Sequence, residues 1–302
     1  MIGMLRSRLV IKPSFRLVTP LNIGFMGERE VLRATFKVPM QGKETPIIPQ
    51  SSIKGALRAI TERIARSVEW KDQDVRNAVE MHFERNIITH RGSSPERFQQ
   101  LLAEYKSSGR FDEIVKHVQE TLGLSVNEAQ EGEENERRIL EAFLATKCPI
   151  DNLFGCTEYS GMLRLTDFIP TGSPELARYT GIGIDRKSMK VFEQAIYQVE
   201  MIMPTVSFTG LIVVDNLIPG DHISRLFALM WKFIKQLGLQ IGGRKSVGFG
   251  LLQIEDIKAS YVDFLQLKDA SERIKALADP WNFGKTFDSL DSLITFLETG
   301  HL

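Results

Sequence analysis

The order of hydrophobic patterns along this chain restricts the folds it can adopt more than any other feature. Two segments, 50–66 and 221–239, place apolar residues on one face at helical spacing, and stretches of alternating apolar and polar residues flank them. Alternation with a period of two is typical of strands. If the long polar stretch at 69–147 is left out, the elements follow the order strand, helix, strand, strand, helix, strand. This order predicts an α+β ferredoxin-like fold, an antiparallel four-stranded sheet with two helices on one face.

The four core strands are predicted at 5–20, 161–170, 206–215 and 251–257, after which a polar tail with short helical pieces is expected. Pro13 cannot donate a backbone hydrogen bond, so the first strand is predicted to be an edge strand or to carry a bulge. The second helix is expected to start at an N-cap aspartate and to end at a glycine.

The chain is predicted to divide into a core, an insertion and a tail. The ferredoxin-like core comprises 1–68 and 148–260, the C-terminal tail comprises 261–302, and between the two halves of the core lies 69–147. This middle stretch is polar, with weak apolar stripes at helical spacing, and is predicted to be a helical insertion that carries no chemistry of its own.

Length and composition exclude several classes of protein. The 302 residues suffice for one large domain or for a core with an insertion. No run of 18 apolar residues occurs and the first 15 residues lack the apolar region of a signal peptide, so neither a membrane partner nor export is expected. Two cysteines among 302 residues argue for a reducing, cytoplasmic setting without a disulfide framework.

Charge is unevenly distributed although the net charge is zero. Residues 1–70 hold twelve Lys and Arg against five Glu, whereas residues 119–142 hold seven Glu against two Arg. This asymmetry is typical of a protein with one face that binds a polyanion and an acidic outer region.

The start of the first helix has the residues of a phosphate site. Ser51 or Ser52 is expected to cap the helix, and Lys54 and Arg58 lie four residues apart on one face. Gly55 lies near the helix start, where alanine would give a helix more stable by about 1 kcal/mol. A glycine at this position indicates close approach of a ligand to the backbone. Free N–H groups, serines and cations at a helix N-terminus favour phosphate binding.

A second candidate phosphate site is the glycine-rich stretch 240–250, in which Gly242 and Gly243 precede Arg244 and Lys245. Glycines let the backbone come close to a ligand, and the two cations can pair with phosphate. The stretch lacks the P-loop pattern, and it follows a helix and precedes a strand, which is the wrong polarity for a dinucleotide-binding motif.

Four motifs occur in the order seen in one protein family: PQSSIKGALR at 49–58, LFG at 153–155, IDR at 184–186 and GGRKSVGFG at 242–250. The set resembles the repeat-associated mysterious proteins (RAMPs) of CRISPR systems. It is most similar to the backbone subunit of type III effector complexes, with 69–147 as a variable insertion.

The resemblance implies a modified RNA-recognition fold that polymerises along CRISPR RNA. The implied partners are CRISPR RNA, target RNA, other effector subunits and further copies of the chain itself. It also implies a thumb-like hairpin that kinks the guide, to which 181–190 would contribute. The RNA-binding residues implied on this sequence are Arg33, Ser51, Ser52, Lys54, Gly55, Arg58, Arg186, Lys187, Gly242, Gly243, Arg244 and Lys245.

The family also implies a candidate catalytic position. Its backbone subunit cuts target RNA with a divalent metal and an Asp in the loop between the first strand and the first helix. Here no Asp precedes Asp72, and Glu28 is the acid nearest the expected place. Glutamate binds Mg²⁺, but its extra methylene displaces the carboxylate, and a misplacement of about 1 Å can cost about 10²-fold in rate. The preferred interpretation is therefore a subunit that binds the guide and does not cleave; the alternative is cleavage by Glu28 with Mg²⁺ or Mn²⁺.

A zinc site is a further possibility, since some RAMPs carry zinc in the insertion. His82, His90, Cys148 and Cys156 supply a Cys₂His₂ donor set, although their spacing differs from the short pairs of common zinc motifs.

Two other functions stay open. Guide-processing endoribonucleases share the glycine-rich loop but commonly use an early His, whereas the first His here is His82. A metabolic enzyme that binds a phosphorylated small molecule would need an acid–base pair in a cleft, and no obvious His–carboxylate pair is apparent in the sequence.

Overall fold

A computed structural model describes residues 5–24, 32–40, 42–88, 96–122, 133–157, 160–184 and 191–301. The helices are α1 (Gln50–Ala65), α2 (Gln73–Ile88), α3 (Glu96–Ser107), α4 (Phe111–Leu122), α5 (Glu133–Lys147), α6 (Pro149–Phe154), α7 (His222–Leu237), α8 (Ala270–Ala278), α9 (Pro280–Phe283) and α10 (Leu290–Thr299). The strands are β1 (Ser7–Leu17), β2 (Leu32–Arg33), β3 (Lys37–Met40), β4 (Lys43–Pro46), β5 (Leu163–Leu165), β6 (Ile169–Pro170), β7 (Leu176–Ile184), β8 (Val191–Ile202), β9 (Ser207–Thr209), β10 (Ile212–Asp215), β11 (Leu239–Gln240), β12 (Leu251–Asp263) and β13 (Lys285–Phe287).

The central sheet has the predicted topology. Its strands follow the order β11-β12-β1-β10-β5, and every pairing among them is antiparallel. Within it, β12, β1, β10 and β5 are the fourth, first, third and second core strands, the arrangement of a ferredoxin-like sheet. Helices α1 and α7, the two core helices, pack against each other. The predicted α+β fold with ferredoxin-like character is therefore confirmed.

Strand β1 lies in the middle of this sheet, and its alternate apolar side chains are buried. Leu9, Ile11, Phe15 and Leu17 are at most 1% exposed. The prediction of an edge strand is wrong, since β1 pairs with β12 on one side and with β10 and then β9 on the other. Pro13 is tolerated because it lies between the residues that pair with β10 and those that pair with β9. The register with β12 shifts one residue later, as expected for a bulge.

The predicted strands 161–170 and 206–215 are each divided in two, and Phe168 is involved at both breaks. Phe168 lies between β5 and β6, fully buried, and it bridges to Ile48 just before α1. Gly210 lies between β9 and β10, where a Cβ atom would be 2.6 Å from the Phe168 ring. At the first break the Phe168 backbone therefore pairs with Ile48, and at the second its ring requires a glycine in the neighbouring strand.

The two core helices differ in how they begin. Asp221 caps α7 as predicted, with its side chain accepting a hydrogen bond from the Ser224 N–H, and Gly238 ends this helix. The predicted serine cap of α1 is wrong, because Pro49 occupies the N-cap position and makes no side-chain cap. Instead, Asp167 accepts a hydrogen bond of 2.8 Å from the backbone N–H of Gln50.

Helices α2 to α5 make up the region predicted to be a helical insertion. Their buried apolar residues belong to the same continuous core as those of β1 and α1. The LFG motif forms the end of the short helix α6, where Leu153 and Phe154 are buried. The domain boundaries themselves stay a prediction.

The C-terminal segment is packed onto the core, unlike the polar tail expected from its composition. Strand β13 pairs with β12, and α10 packs on α7. The side chains of Leu293 and Leu297 are fully buried.

A second, three-stranded sheet lies outside the ferredoxin-like order. Strands β7 and β8 form an antiparallel hairpin, and β2 adds in parallel to β8. None of the helices within the described ranges is long and apolar enough to cross a membrane.

Candidate functional site

The start of α1 and the glycine-rich loop, about 190 residues apart in sequence, lie side by side in the fold. They border a groove of about 700 Å³. Helix α1 contributes Ser51, Ser52 and Gly55, and the loop contributes Gly242 and Lys245. Residues from both stretches predicted to bind phosphate therefore line a single groove, whereas the predicted Lys54, Arg58, Gly243 and Arg244 are not among its lining residues.

The other groove residues define its character. Arg63, two turns beyond Gly55, adds an exposed cation, and Phe233 and Leu237 of α7 add apolar surface. Polar and cationic groups beside apolar surface suit a ligand that has both phosphates and flat or apolar groups.

Gly55 keeps part of the groove open. A Cβ atom built there would have no heavy atom of the described residues within 4 Å, so that part of the chain does not require a glycine at this helical position. The residue lowers the helix stability without relieving any internal clash. This fits the expectation that a ligand approaches the backbone here.

The glycine-rich loop is hydrogen-bonded to the segment that follows β1, residues 20–22. The Gly243 N–H donates a hydrogen bond of 3.0 Å to the Asn22 carbonyl, and the Gly250 N–H donates one of 2.8 Å to the Pro20 carbonyl. Gly242 and Gly250 have positive φ, and a Cβ atom on either would collide with a backbone carbonyl oxygen. These glycines therefore serve the close packing of two backbones within the protein.

Gln240, at the start of the loop, makes hydrogen bonds to residues further along the loop. Its Nε2 donates to the carbonyls of Lys245 at 3.0 Å and of Phe249 at 3.2 Å. Lys245 begins a single 3₁₀ turn and its side chain is exposed at the groove. The loop thus presents a cation on a backbone that is fixed at both ends.

Arg244 has a different environment from Lys245 although the two are consecutive. Its backbone is left-handed, with φ 58°. Its Nη1 donates a hydrogen bond of 3.0 Å to the hydroxyl of Tyr197 in the β7–β8 hairpin, and Arg244 is not among the residues that line the groove. The loop therefore presents one cation to the groove and the other to the hairpin.

The cations of α1 are more constrained than the sequence indicates. Lys54 is partly buried, and this burial together with the nearby Arg58 charge lowers the pKa of its ammonium group. Arg58 pairs with Glu62 at 3.0 Å and donates to the Gly155 carbonyl at 3.1 Å. Arg58 thus connects α1 to the end of α6, and RNA binding by it stays a prediction.

Several predicted residues have no described environment. Glu28, His90, Arg186 and Lys187 lie outside the described residues, as does the side chain of Arg33.

A buried polar cluster joins α1, α2 and α6 behind the groove. His82 Nδ1 lies 2.9 Å from Asp151 Oδ1, and His82 Nε2 lies 3.2 Å from Glu62 Oε1. His82, Cys148 and Asp151 are at most 3% exposed. The sequence contained no signal for this His–carboxylate pair, since Asp151 resembles an ordinary residue of a short helix. The region predicted to carry no chemistry of its own therefore supplies a histidine to a charged cluster.

Protonation in this cluster follows from its hydrogen bonds. Burial alone would lower the pKa of His82, but hydrogen bonds to Asp151, Cys148 and Glu62 raise it to about 11. The hydrogen bond from His82 lowers the pKa of Glu62. Burial raises the pKa of the Cys148 thiol. The cluster therefore holds an imidazolium between carboxylates beside a neutral thiol.

The predicted zinc donors are only partly brought together. One ligand atom each of His82, Cys148 and Asp151 lie within 4.8 Å of one another, whereas Cys156 is outside this group. A thiolate, an imidazole nitrogen and a carboxylate suit Zn²⁺, but binding requires loss of the protons that the cluster favours on His82 and Cys148. Zinc binding stays a prediction, with Asp151 as a donor that the sequence did not indicate.

Comparison with known proteins adds one match. The family model described as the RAMP superfamily matches residues 14–253, which is 240 of the 302 residues and includes both sides of the groove. No curated protein matches the sequence significantly.

Proposed function

The chain belongs to the RAMP superfamily, whose members are CRISPR-associated and bind RNA, and from that membership we propose that it is a guide-RNA-binding backbone subunit of a type III effector complex. In this role it holds a short segment of CRISPR RNA and presents it to target RNA. It assembles along the guide with other effector subunits and with further copies of itself.

One observation carries the proposal: the groove that brings the start of α1 against the glycine-rich loop. Lys245 and Arg63 give this groove two exposed cations, and Ser51 and Ser52 give it hydroxyl donors. These groups suit phosphate oxygens, and contacts to the phosphates of the RNA backbone carry no information about base sequence. Binding is therefore expected to depend steeply on salt and only weakly on sequence.

The proposed subunit does not cleave its target. The sequence has no Asp before Asp72, and Glu28 offers only a longer, differently placed carboxylate. Cleavage by Glu28 with Mg²⁺ or Mn²⁺ is the outcome that would change this part of the proposal.

The test is binding of a single-stranded RNA by the wild type and by the double variant Arg63→Ala/Lys245→Ala over a salt series. Each phosphate contact to a single strand contributes about 0.7 to the slope of log K against log salt, so we expect the variant's slope to be shallower by about 1.4. Arg58 is left intact because its removal would break the contacts to Glu62 and Gly155.

Lys116→Ala is the matched control, since Lys116 is a highly exposed cation on α4 and is not a groove residue. Equal slopes for the double variant and the wild type would refute the groove as the RNA site. A separate cleavage assay incubates the RNA-bound protein with a complementary target RNA and Mg²⁺ or Mn²⁺. Cuts that are lost in Glu28→Gln would show that the subunit is a nuclease.

A further inference from the structure

An aromatic cluster lies where the β7–β8 hairpin meets the glycine-rich loop. Its members are Tyr179, Tyr197, Arg244 and Phe249. Tyr179 and Tyr197 share one face of the hairpin, because Tyr179 pairs with Val199 and Gly181 pairs with Tyr197 in the same antiparallel register. A Cβ atom at Gly181 would collide with the Tyr197 ring, so this glycine allows the ring to lie flat across the strand.

Arg244 fixes the loop to this aromatic face. Its guanidinium carbon is 4.3 Å from the centroid of the Tyr197 ring and 5.6 Å from that of Tyr179. Among the residues that the structure describes, no carboxylate pairs with Arg244; its hydrogen bond goes to the neutral Tyr197 hydroxyl. The cluster therefore carries a positive charge on an aromatic surface.

Tyr179 is the accessible member of the cluster. Its ring meets Phe249 edge to face, with centroids 5.8 Å apart, and 41% of the residue remains exposed. Phe249 itself is buried and supports the ring from the loop side. The exposed Tyr179 ring is thus supported by the buried Phe249 ring and lies beside the Arg244 cation. In single-stranded RNA sites, nucleobases stack on exposed aromatic rings of this kind.

The position of the cluster relative to the groove indicates which part of the RNA it meets. Lys245 faces the groove and the preceding Arg244 faces the hairpin. A strand whose phosphates follow the groove at Lys245 would have its bases beside the hairpin.

We propose that Tyr179 is a stacking platform for one nucleobase of the bound RNA, with Arg244 bridging that base to the adjoining phosphate. The proposal rests on the proposed function and adds a contact to a base where the groove supplies contacts to phosphates. Since every base has a π-face, the contact tolerates any sequence.

The test compares oligouridylate with an abasic ribose-phosphate strand of the same length. Tyr179→Ala is expected to bind oligouridylate about tenfold more weakly than the wild type, which corresponds to about 1.4 kcal/mol. Its affinity for the abasic strand should equal that of the wild type. Its salt slope should equal that of the wild type, because stacking releases no counterions, whereas Lys245→Ala should change the slope. Tyr179→Phe should bind as the wild type does.

Ile182→Ala is the control, since Ile182 is 51% exposed on the opposite face of the same hairpin. The stacking proposal alone would be overturned if the wild type binds RNA and Tyr179→Ala either keeps its affinity for both strands or loses the same affinity for both. A wild type that binds neither strand would overturn the proposed function as well. Quenching of 2-aminopurine in RNA bound to the wild type, reduced in Tyr179→Ala and retained in Tyr179→Phe, tests stacking even if the alanine variant folds poorly.

Discussion

At the residue scale, Gly55 separates helix stability from the proposed RNA binding. It lies in the second turn of α1, exposed at the groove, with open space where a Cβ atom would be. An alanine side chain there would contact none of the residues that the structure describes.

We therefore predict that Gly55→Ala raises the free energy of unfolding by about 1 kcal/mol and weakens binding of single-stranded RNA. Denaturant titration without RNA measures the first effect, and RNA titration measures the second. A variant that is more stable and binds RNA as well as the wild type would contradict close approach of the RNA backbone at this position.

The buried imidazolium of His82 makes stability depend on pH. The pKa of His82 is about 11 in the folded protein and about 6.5 when unperturbed. Its contribution is therefore fully present below pH 6.5 and is lost as pH rises through about 11. The lowered pKa of Glu62 acts at the acid end, where stability is lost as pH falls.

Urea unfolding between pH 6.5 and pH 8 isolates the histidine, because the Cys148 thiol, whose ordinary pKa is 9.0, stays mostly protonated over this range in both the folded and the unfolded chain. We expect the wild type to lose stability steadily over this range and His82→Gln to show a much flatter dependence. At pH 6.5 the variant should be less stable by about 3 kcal/mol, since the buried Asp151 then keeps, among the described residues, only the Arg58 guanidinium, 3.7 Å away, as a cationic partner. An unchanged pH dependence in His82→Gln would show that His82 is not charged.

At the scale of elements, the C-terminal strand and helix complete the core around α7. The Leu297 carbonyl accepts a hydrogen bond of 2.7 Å from the buried Ser224 hydroxyl of α7. Strand β13 covers the edge of β12, with Phe287 paired to Ala259. Both elements lie beyond the family match, which ends at residue 253.

A chain ending at Phe283 lacks both elements and should not fold stably. Five apolar side chains of α10 are buried, and burial of each contributes about 1.5–3 kcal/mol, so their loss is comparable to the whole stability of a typical domain. Thermal unfolding followed by circular dichroism is the measurement, with a chain ending at Gly300 as the control. A cooperative transition at the wild-type temperature in the shorter chain would refute this role of α10.

At the scale of the whole molecule, one core joins the ferredoxin-like sheet to the helices α2 to α5. Apolar residues of both belong to the same buried cluster, and the His82 cluster adds charged contacts between α2, α1 and α6. The helix that borders the groove is therefore braced from behind by the helical region, which gives that region a structural part in positioning the site.

The sequence alone determined the elements whose signals are local. Period-two alternation identified β1, helical spacing identified α1 and α7, and Asp221 and Gly238 marked the ends of α7, because each of these signals acts within a few residues of the chain. The strand order followed from the order of these elements, and the residue types marked the two stretches that are predicted to bind phosphate.

Only the tertiary structure decided what depends on distant partners. Phe168 pairs with Ile48 at the break in one predicted strand and packs its ring on Gly210 at the break in another. Asp167 took the place of a serine cap, and the place of β1 at the centre of the sheet followed from its pairing on both sides. The same holds for the site. Residue types indicated that Arg58 and Arg244 were cations for phosphate, but a cation's partners are set by side chains from elsewhere in the chain. Packing placed Arg58 beside Glu62 and Gly155 and Arg244 on the tyrosines of the hairpin.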